Sequence, residues 1–375
     1  MKIAVLKERF PGETRVAATP ETVRKFIALG ADFAVESGAG DSAAFSDDAF
    51  REAGASIGDA EAVVKDADIV IAIRAPELAR LEGTRPGAMV AALFDPFQRR
   101  ELVAAYASAG LEALSMEFMP RITRAQSMDV LSSQSNLAGY KAVIAAADTF
   151  GRAFPMMMTA AGTVQAARLF VMGVGVAGLQ AIATGRRLGA QVSATDVRSA
   201  TREQIESLGA KAVFVEDVAG IEGEGSGGYA TEMSDEYKAA QAKLVSEHIA
   251  KQDIVITTAL IPGRAAPRLI TDQQIASMKP GSVIFDLAVV QGGNVEGSIA
   301  DEVVERHGVT IMGFANTPAH LAADASALFA RNHFNFLSAF WDEEAGRPVL
   351  DEEIGDAIRL TRGGEVVNDR LEGAA

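Results

Sequence analysis

The stretch that most constrains the fold is "VMGVGVAGLQAIATGRRLGAQVSATD", residues 171–196. It places the glycines of a G-x-G-x-x-G motif between an apolar strand pattern and an apolar helix pattern. A second strand pattern follows and ends in an acidic residue. Two strands joined through a helix run parallel in one sheet. The sequence therefore predicts a β–α–β unit, and its glycine-rich turn is typical of a site for a dinucleotide.

Each glycine of this motif has a separate predicted role. Gly173 permits the tight turn, Gly175 lets the backbone approach a pyrophosphate, and Gly178 lets the helix pack closely on the strand. The helix N-terminus then offers unpaired N–H groups to the phosphates.

The acid at the end of the second strand indicates which dinucleotide is bound. Asp196 follows Gly178 by 18 residues, near the roughly 20 expected for an acid on the ribose hydroxyls. A carboxylate there repels a 2′-phosphate, so we predict NAD(H) over NADP(H). Arg198 leaves that preference open, because a nearby arginine can accommodate the phosphate. The candidate cofactor-binding residues are Gly173, Gly175, Val176, Gly178, Asp196, Val197 and Arg198, joined by Thr258, Ala259 and Leu260 at the end of a later strand. For residues 258–260, a simple exit from a strand into a loop remains an alternative.

Short apolar runs alternate with helical patterns along most of the chain. Predicted strands cover 2–8, 32–37, 67–73, 87–93 and 111–117, and then 167–173, 190–196, 211–216, 253–260, 281–289 and 309–316. This alternation predicts an α/β protein with parallel sheets. We expect two Rossmann-like, doubly wound domains with a cleft between them.

The expected domains are residues 1–132 plus 318–375 and residues 133–317. Thr19, Pro20 and Gly30 are expected at the cap, first position and C′ of the first helix. A long helix over 133–152, capped by Ser133 or Ser135, is expected to bridge the domains. A second long helix after Pro318 is expected to carry Trp341 and to return to the first domain.

Composition excludes several kinds of function. The net charge of −15 argues against nucleic acid as a partner. The chain has no cysteine, so it has no disulfide and no thiolate metal site, and we expect no metal. The longest uncharged apolar run, 169–185, is shorter than the roughly 20 residues that a membrane span needs. We therefore expect no direct membrane span.

Two segments interrupt the α/β rhythm. Residues 216–240 are acidic and glycine-rich, with Tyr229 among the glycines. They fit a mobile loop that covers a bound ligand or an insertion without a role. The second is the polar segment, residues 120–140, "PRITRAQSMDVLSSQSNLAGY". It combines arginine, glutamine, aspartate and hydroxyl side chains without histidine or lysine before position 140. That mixture suits binding and orientation better than proton transfer, although a solvated helix cap remains an alternative.

"IAVLKERFPGETRVAATPETV" and the glycine motif together resemble the alanine dehydrogenases and the NAD-binding component of proton-translocating nicotinamide nucleotide transhydrogenases. The resemblance covers nearly the whole chain. Alanine dehydrogenases carry a lysine and a histidine where this sequence has Arg74 in "IAIRAPE" and Asp95 in "ALFDPFQ". Their early arginine matches Arg15. Oxidation of an amino acid needs an acceptor for a proton, whereas hydride transfer between two nicotinamides does not.

"RITRAQSMDVLSSQSN" looks like the signature loop of the transhydrogenases. The resemblance implies that Arg121, Asp129 and Ser132 bind the nicotinamide carboxamide and its ribose, and that Gln126 reaches a second nucleotide. Tyr229 would belong to a loop that closes over bound nucleotide. These five residues are the candidate catalytic group.

The implied function is a Si/Re-specific, proton-translocating NAD(P)⁺ transhydrogenase that works with partner subunits. NAD(H) would bind to this chain and NADP(H) to a partner domain, while membrane-spanning partners would couple hydride transfer to proton movement. The resemblance also implies a homodimer, and a cytoplasmic protein peripheral to the inner membrane. Because no span precedes Ala375, the chain looks like the split form of this component. The alternatives are an amino-acid dehydrogenase of the alanine dehydrogenase type and a non-enzymatic NAD sensor.

Overall fold

A computed structural model describes residues 1–215, 235–261 and 263–372. The chain forms two compact units, the first made of Met1–Gln134 with Pro318–Ala375 and the second of Ser135–Thr317. The strands are β1 (Lys2–Val5), β2 (Asp32–Glu36), β3 (Ser56–Gly58), β4 (Ile69–Arg74), β5 (Met89–Leu93), β6 (Glu112–Ser115), β7 (Met157–Thr159), β8 (Gly162–Val164), β9 (Arg168–Met172), β10 (Gln191–Thr195), β11 (Lys211–Ala212), β12 (Ile254–Thr257), β13 (Val283–Asp286), β14 (Val303–Arg306), β15 (Val309–Met312), β16 (Trp341–Asp342), β17 (Arg347–Pro348), β18 (Thr361–Arg362) and β19 (Glu365–Val366). The helices are α1 (Pro20–Ala28), α2 (Asp47–Glu52), α3 (Ala60–Val64), α4 (Arg100–Ser108), α5 (Val130–Thr149), α6 (Val176–Arg187), α7 (Thr201–Ser207), α8 (Asp235–Ile249), α9 (Asp272–Ala276), α10 (Ala322–Ala339), α11 (Glu352–Ile358) and α12 (Asp369–Glu372).

The first unit is built on a sheet with the strand order β3-β2-β1-β4-β5-β6. Its neighbouring strands all pair in parallel. Strand order runs outward from β1 in both directions, which is the doubly wound arrangement. The aromatic rings of Phe329 and Phe336 on α10 belong to this core. Helix α10 therefore stabilises the first unit through apolar packing.

The second unit repeats this plan. In the described part of the chain its sheet has the order β11-β10-β9-β12-β13-β15-β14. The strands pair in parallel except β14, which runs antiparallel to β15. The prediction of an α/β fold with parallel sheets is therefore confirmed. The order reverses between β9 and β12, which is where such sheets bind ligands beyond the carboxyl ends of their strands.

The first helix begins and ends as its sequence predicts. Thr19 is the N-cap of α1 and accepts from the backbone N–H of Thr22, and Pro20 occupies the first turn. Gly30 follows the C-cap with φ of +86°, the left-handed conformation that a C′ glycine adopts. The prediction for α5 is wrong, because α5 begins at Val130 and its cap is Asp129 rather than Ser133 or Ser135.

Several other elements differ from their predictions. Helix α10 ends at Ala339, and Trp341 begins strand β16 instead of lying in the helix. Residues 235–240, expected in the glycine-rich loop, form the start of α8. The sequence did not predict β3, β14 or the β7–β8 hairpin. These strands are short and largely or partly exposed, so no apolar run marks them.

Candidate functional site

The glycine-rich turn between β9 and α6 has little room for side chains at two of its positions. Gly173 adopts φ of +100°, and a Cβ there would lie 2.6 Å from Thr258 Oγ1. A Cβ at Gly178 would lie 1.9 Å from the carbonyl oxygen of Gly173. Only a hydrogen atom fits either place, so both glycines are required by packing and backbone conformation.

Gly175 differs from these two glycines because no atom lies within 4 Å of a Cβ built there. It is also the N-cap of α6, and it has no side chain to accept from the first N–H groups of that helix. An open surface beside uncapped N–H groups suits an anion, since the helix dipole places positive charge there. The geometry therefore fits a pyrophosphate at this turn.

The loop after β12 is fixed against the same turn. Thr258 Oγ1 donates to the carbonyl of Gly173 at 3.0 Å. The buried amide of Asn294 accepts from Ala259 N at 3.0 Å and donates to the carbonyls of Ala259 at 2.9 Å and Pro267 at 2.8 Å. These bonds replace the sheet ladder, which explains why β12 ends at Thr257 and not at the predicted Leu260. Leu260 itself is exposed.

Asp196 lies directly after β10 and is nearly buried. Its Oδ2 accepts from Val174 N at 2.7 Å, and Arg198 donates from its backbone N–H and Nε to Oδ1 and from Nη2 to Oδ2, each at 2.9 Å. Burial opposes ionisation of this carboxyl, but the hydrogen bonds from Arg198 and Val174 outweigh it and lower its pKa. Asp196 is therefore a carboxylate at neutral pH. Val197, between the two bonded residues, is only partly buried.

The predicted residues of the polar segment lie close together in the first unit. Residues Thr123–Met128 form a 3-10 turn, and α5 starts directly after Asp129. Asp129 accepts from the backbone N–H of Ser132 at 2.9 Å and from its hydroxyl at 2.6 Å. The side chains of Arg121 and Gln126 are exposed. The segment thus presents an amide and a guanidinium beside a fixed carboxylate–hydroxyl pair.

A buried ion pair occupies the arginine that alanine dehydrogenases share. Arg15 donates from Nε and Nη2 to the two carboxylate oxygens of Glu13, each at 2.7 Å. Its Nη1 donates to Gln134 Oε1 at 2.7 Å. Both side chains of the ion pair are almost fully buried. A bidentate pair of this kind leaves the guanidinium little capacity for a substrate carboxylate.

The two positions that carry lysine and histidine in alanine dehydrogenases also lack a base. Arg74 stacks over the ring of Phe10, with 4.3 Å from Cζ to the ring centroid. Asp95 adopts φ of +51° in a turn held by the buried carboxylate of Glu117. Neither an always-charged arginine nor an exposed aspartate accepts a proton readily near neutral pH.

The histidines are engaged elsewhere. His248 Nε2 lies 2.8 Å from Ser193 Oγ, and His307 Nε2 lies 2.9 Å from Asp272 Oδ2. His333 is fully buried against Phe329, and burial lowers its pKa to about 4. His320 lies in the 3-10 turn Thr317–Leu321. We assign none of them to proton transfer. Tyr229, the remaining candidate, lies outside the described residues.

Some residues that shape the site were not singled out from the sequence. Asn294 fixes residues 258–260, and Asn332 on α10 donates to the carbonyl of Ser127 in the polar segment. An asparagine in an otherwise apolar stretch, such as Asn332 in "FARNHFNF", is the only sequence signal for either role. Which backbone groups such an amide meets depends on long-range packing.

Comparison with known proteins identifies the family. The N-terminal domain of the family described as alanine dehydrogenase/PNT matches residues 4–138, and its C-terminal domain matches residues 142–369. A Rhodospirillum rubrum protein named as an NAD(P) transhydrogenase subunit alpha is 51% identical over 382 residues, covering 100% of this chain and 99% of that protein. The chain belongs to the alanine dehydrogenase/PNT family.

Within the alanine dehydrogenase/PNT family, the chain is much more similar to transhydrogenases than to alanine dehydrogenases. The crystal structure of transhydrogenase from Sinorhizobium meliloti matches with a TM-score of 0.89 and 52% identity, covering 98% of this chain and 100% of that chain. Alanine dehydrogenase 1 of Staphylococcus aureus is 27% identical, covering 97% of this chain and 94% of that protein. The resemblance to transhydrogenases is therefore confirmed and favoured over the dehydrogenase alternative.

Proposed function

We propose that this protein is the NAD(H)-binding subunit of a proton-translocating NAD(P)⁺ transhydrogenase. The observation that carries the proposal is the polar segment, where Gln126 is exposed beside the fixed Asp129–Ser132 pair. Such a group can orient a carboxamide, which has both donor and acceptor atoms. The transhydrogenase names of the similar proteins support the same activity.

The assigned residues bind and orient, and they transfer no proton. The turn Gly173–Gly178 would hold the pyrophosphate, Asp196 the adenosine ribose, and residues 258–260 the neighbouring part of the nucleotide. Arg121, Asp129 and Ser132 would fix the nicotinamide carboxamide and ribose, and Gln126 would contact the second nucleotide. Tyr229 keeps its proposed role in covering the nucleotide.

The reaction balances without a protein base. The dihydronicotinamide of NADH supplies a hydride from C4 to C4 of NADP⁺, so NADH becomes NAD⁺ while NADP⁺ becomes NADPH. What the chain contributes is the alignment of the two rings and the exclusion of water. Fixing the carboxamide decides which ring face is presented, which underlies the proposed Si/Re specificity.

We further propose that membrane-spanning partner subunits couple this transfer to proton movement, and that this subunit is cytoplasmic and peripheral to the membrane. Among the described residues, no helix is both long and apolar enough to cross a bilayer. The relatives' description as a subunit supports the need for partners.

A homodimer is the proposed oligomeric state. The β7–β8 hairpin and the residue before it expose Met156, Met157 and Met158, which are 60%, 43% and 81% exposed. A row of exposed methionines on a two-stranded hairpin is typical of an interaction surface. If the hairpin forms the dimer contact, Met158→Asp raises the dimer dissociation constant in sedimentation experiments. An unchanged constant would remove the hairpin from the contact.

The decisive experiment mixes the protein with a separately expressed NADP-binding domain of a transhydrogenase. Rapid hydride transfer from NADH to bound NADP⁺ that requires both proteins would support the proposal. Gln126→Asn would retain NADH binding and slow the transfer, whereas an unchanged rate would remove Gln126 from the mechanism. Alanine-dependent reduction of NAD⁺ by the protein alone would instead support the amino-acid dehydrogenase. Binding of NADH without any transfer would support the sensor.

A further inference from the structure

Helix α10 holds the polar segment by its backbone. Asn332 Nδ2 donates to the carbonyl oxygen of Ser127 at 2.8 Å, and Asn335 Nδ2 donates to the same oxygen at 3.0 Å. The two asparagines are three residues apart, so they lie on one face of the helix. One carbonyl oxygen has two lone pairs and can accept both bonds. The backbone next to Gln126 is thereby tied to α10.

The amide of Asn332 is itself oriented. Ser133 Oγ donates to Asn332 Oδ1 at 2.7 Å, a shorter contact than its 3.1 Å contact with the carbonyl of Val130. Because Oδ1 accepts from Ser133, the Nδ2 group must face Ser127. Asn332 is only 7% exposed, so water competes little for these bonds. The amide therefore links the start of α5 to the turn that carries Gln126.

A second contact holds the segment on the other side of Gln126. Arg124 Nη2 lies 2.6 Å from both Asp351 Oδ2 and Glu353 Oε2. All three side chains are well exposed to solvent, and ion pairs of that kind contribute little. The asparagine bonds are more buried and involve no net charge, so salt does not screen them. They are the stronger of the two anchors.

We propose that Asn332, assisted by Asn335, is a positioning residue that sets the placement of Gln126 for hydride transfer. The inference rests on the proposed function, in which Gln126 contacts the second nucleotide. Hydride transfer needs the two reacting carbons at about 3–3.5 Å, and a displacement of about 1 Å can slow a reaction about 100-fold. Asn332 itself touches no nucleotide in this proposal, so NADH affinity does not depend on it.

The test is a double-mutant cycle on the rate of single-turnover hydride transfer to a separately expressed NADP-binding domain. Asn332→Ala is expected to slow transfer about tenfold or more, with the dissociation constant for NADH changed by less than about twofold. In a Gln126→Ala background the same substitution is expected to have no further effect. Arg331→Ala is the matched control, because Arg331 neighbours Asn332 but pairs with Glu21 on α1 instead.

Equal slowing by Asn332→Ala in both backgrounds would overturn the inference, since the residue would then act other than through Gln126. An unchanged rate in the single variant would overturn it as well. If Asn332→Ala does not fold, Asn335→Ala decides, with a smaller slowing and the same dependence on Gln126 expected. No transfer by the unmodified protein would contradict the proposed function instead.

In that last case amide hydrogen exchange tests the anchor without any activity. Faster exchange over residues 121–128 in Asn332→Ala than in Arg331→Ala would support the anchor. Equal protection in the two variants would overturn it.

Discussion

The carboxylate of Asp129 accepts two hydrogen bonds from Ser132, from the backbone N–H at 2.9 Å and from the hydroxyl at 2.6 Å. The first bond is an N-cap on α5, and the second fixes the hydroxyl that we assign to the nucleotide. One carboxylate therefore serves stability and binding together. The two contributions can be separated, because Ser132 keeps its backbone N–H whatever its side chain is.

Asp129→Ala is expected to lower the free energy of unfolding by about 1 kcal/mol through loss of the cap, and to weaken NADH binding. Ser132→Ala is expected to weaken NADH binding with little loss of stability. Urea unfolding and calorimetric titration with NADH measure the two effects. Equal losses of stability in both variants would show that the hydroxyl, and not the cap, carries the stabilisation.

The glycine-rich turn offers a matched pair of alanine substitutions. Gly178→Ala puts a methyl group 1.9 Å from the carbonyl of Gly173, so the turn must shift and stability must fall by about 1–3 kcal/mol. Gly175 has φ of −81° and open space, so Gly175→Ala is expected to fold normally. Its methyl group would still stand where a pyrophosphate must approach, and NADH binding should weaken. Undiminished binding in Gly175→Ala would place the phosphates elsewhere.

Asp196 and Arg198 are expected to set the choice between NADH and NADPH. Asp196→Ala should weaken NADH binding and reduce discrimination against NADPH, because no carboxylate then repels the 2′-phosphate. Arg198→Ala should retain NADH binding and weaken NADPH binding further. Fluorescence titrations with both nucleotides provide the test. If Asp196→Ala leaves the preference unchanged, the ribose contact lies on another residue.

The buried His333 predicts a loss of stability in mild acid. Burial lowers its pKa to about 4, against only partial opposition from the carbonyls of Ala91 and Ala17. The unfolded chain binds this proton near pH 6.5, so the stabilisation is complete above that pH and is lost as pH falls towards 4. Between pH 7 and about pH 5.5 the loss is about 1 kcal/mol.

His333→Phe should remove that part of the pH dependence, as measured by urea unfolding at the two pH values. His307→Gln is the control, since His307 is about half exposed. An identical pH dependence in His333→Phe and the unmodified protein would assign the acid sensitivity to other groups.

The sequence was sufficient for the fold class because its main signals are local. The glycine motif, the apolar strands and the Thr19–Pro20 helix start each follow from backbone geometry or from burial over a few residues. The ends of elements were less accessible. Strand β12 stops where Asn294, more than thirty residues later, takes over the hydrogen bonds of Ala259, and no local pattern announces that.

The start of α5 shows the same limit for the candidate site. Ser133 and Asp129 are both good capping residues, and the choice depends on Asn332, which engages the Ser133 hydroxyl from a distant helix. The residue types of the site could be read from the polar segment and the family resemblance. Their roles towards the nucleotides remain predictions until they are measured.

The anchor on Ser127 is a main-chain carbonyl, which every amino acid supplies. Position 127 can therefore drift among residue types without loosening the turn, whereas the amide at 332 has no such freedom. In related sequences we expect variation at 127 to be tolerated, while residues 126 and 332 change together or not at all. Evolution could thus alter the exposed surface around Gln126, and with it the fit to a partner, without disturbing the element that aims the glutamine.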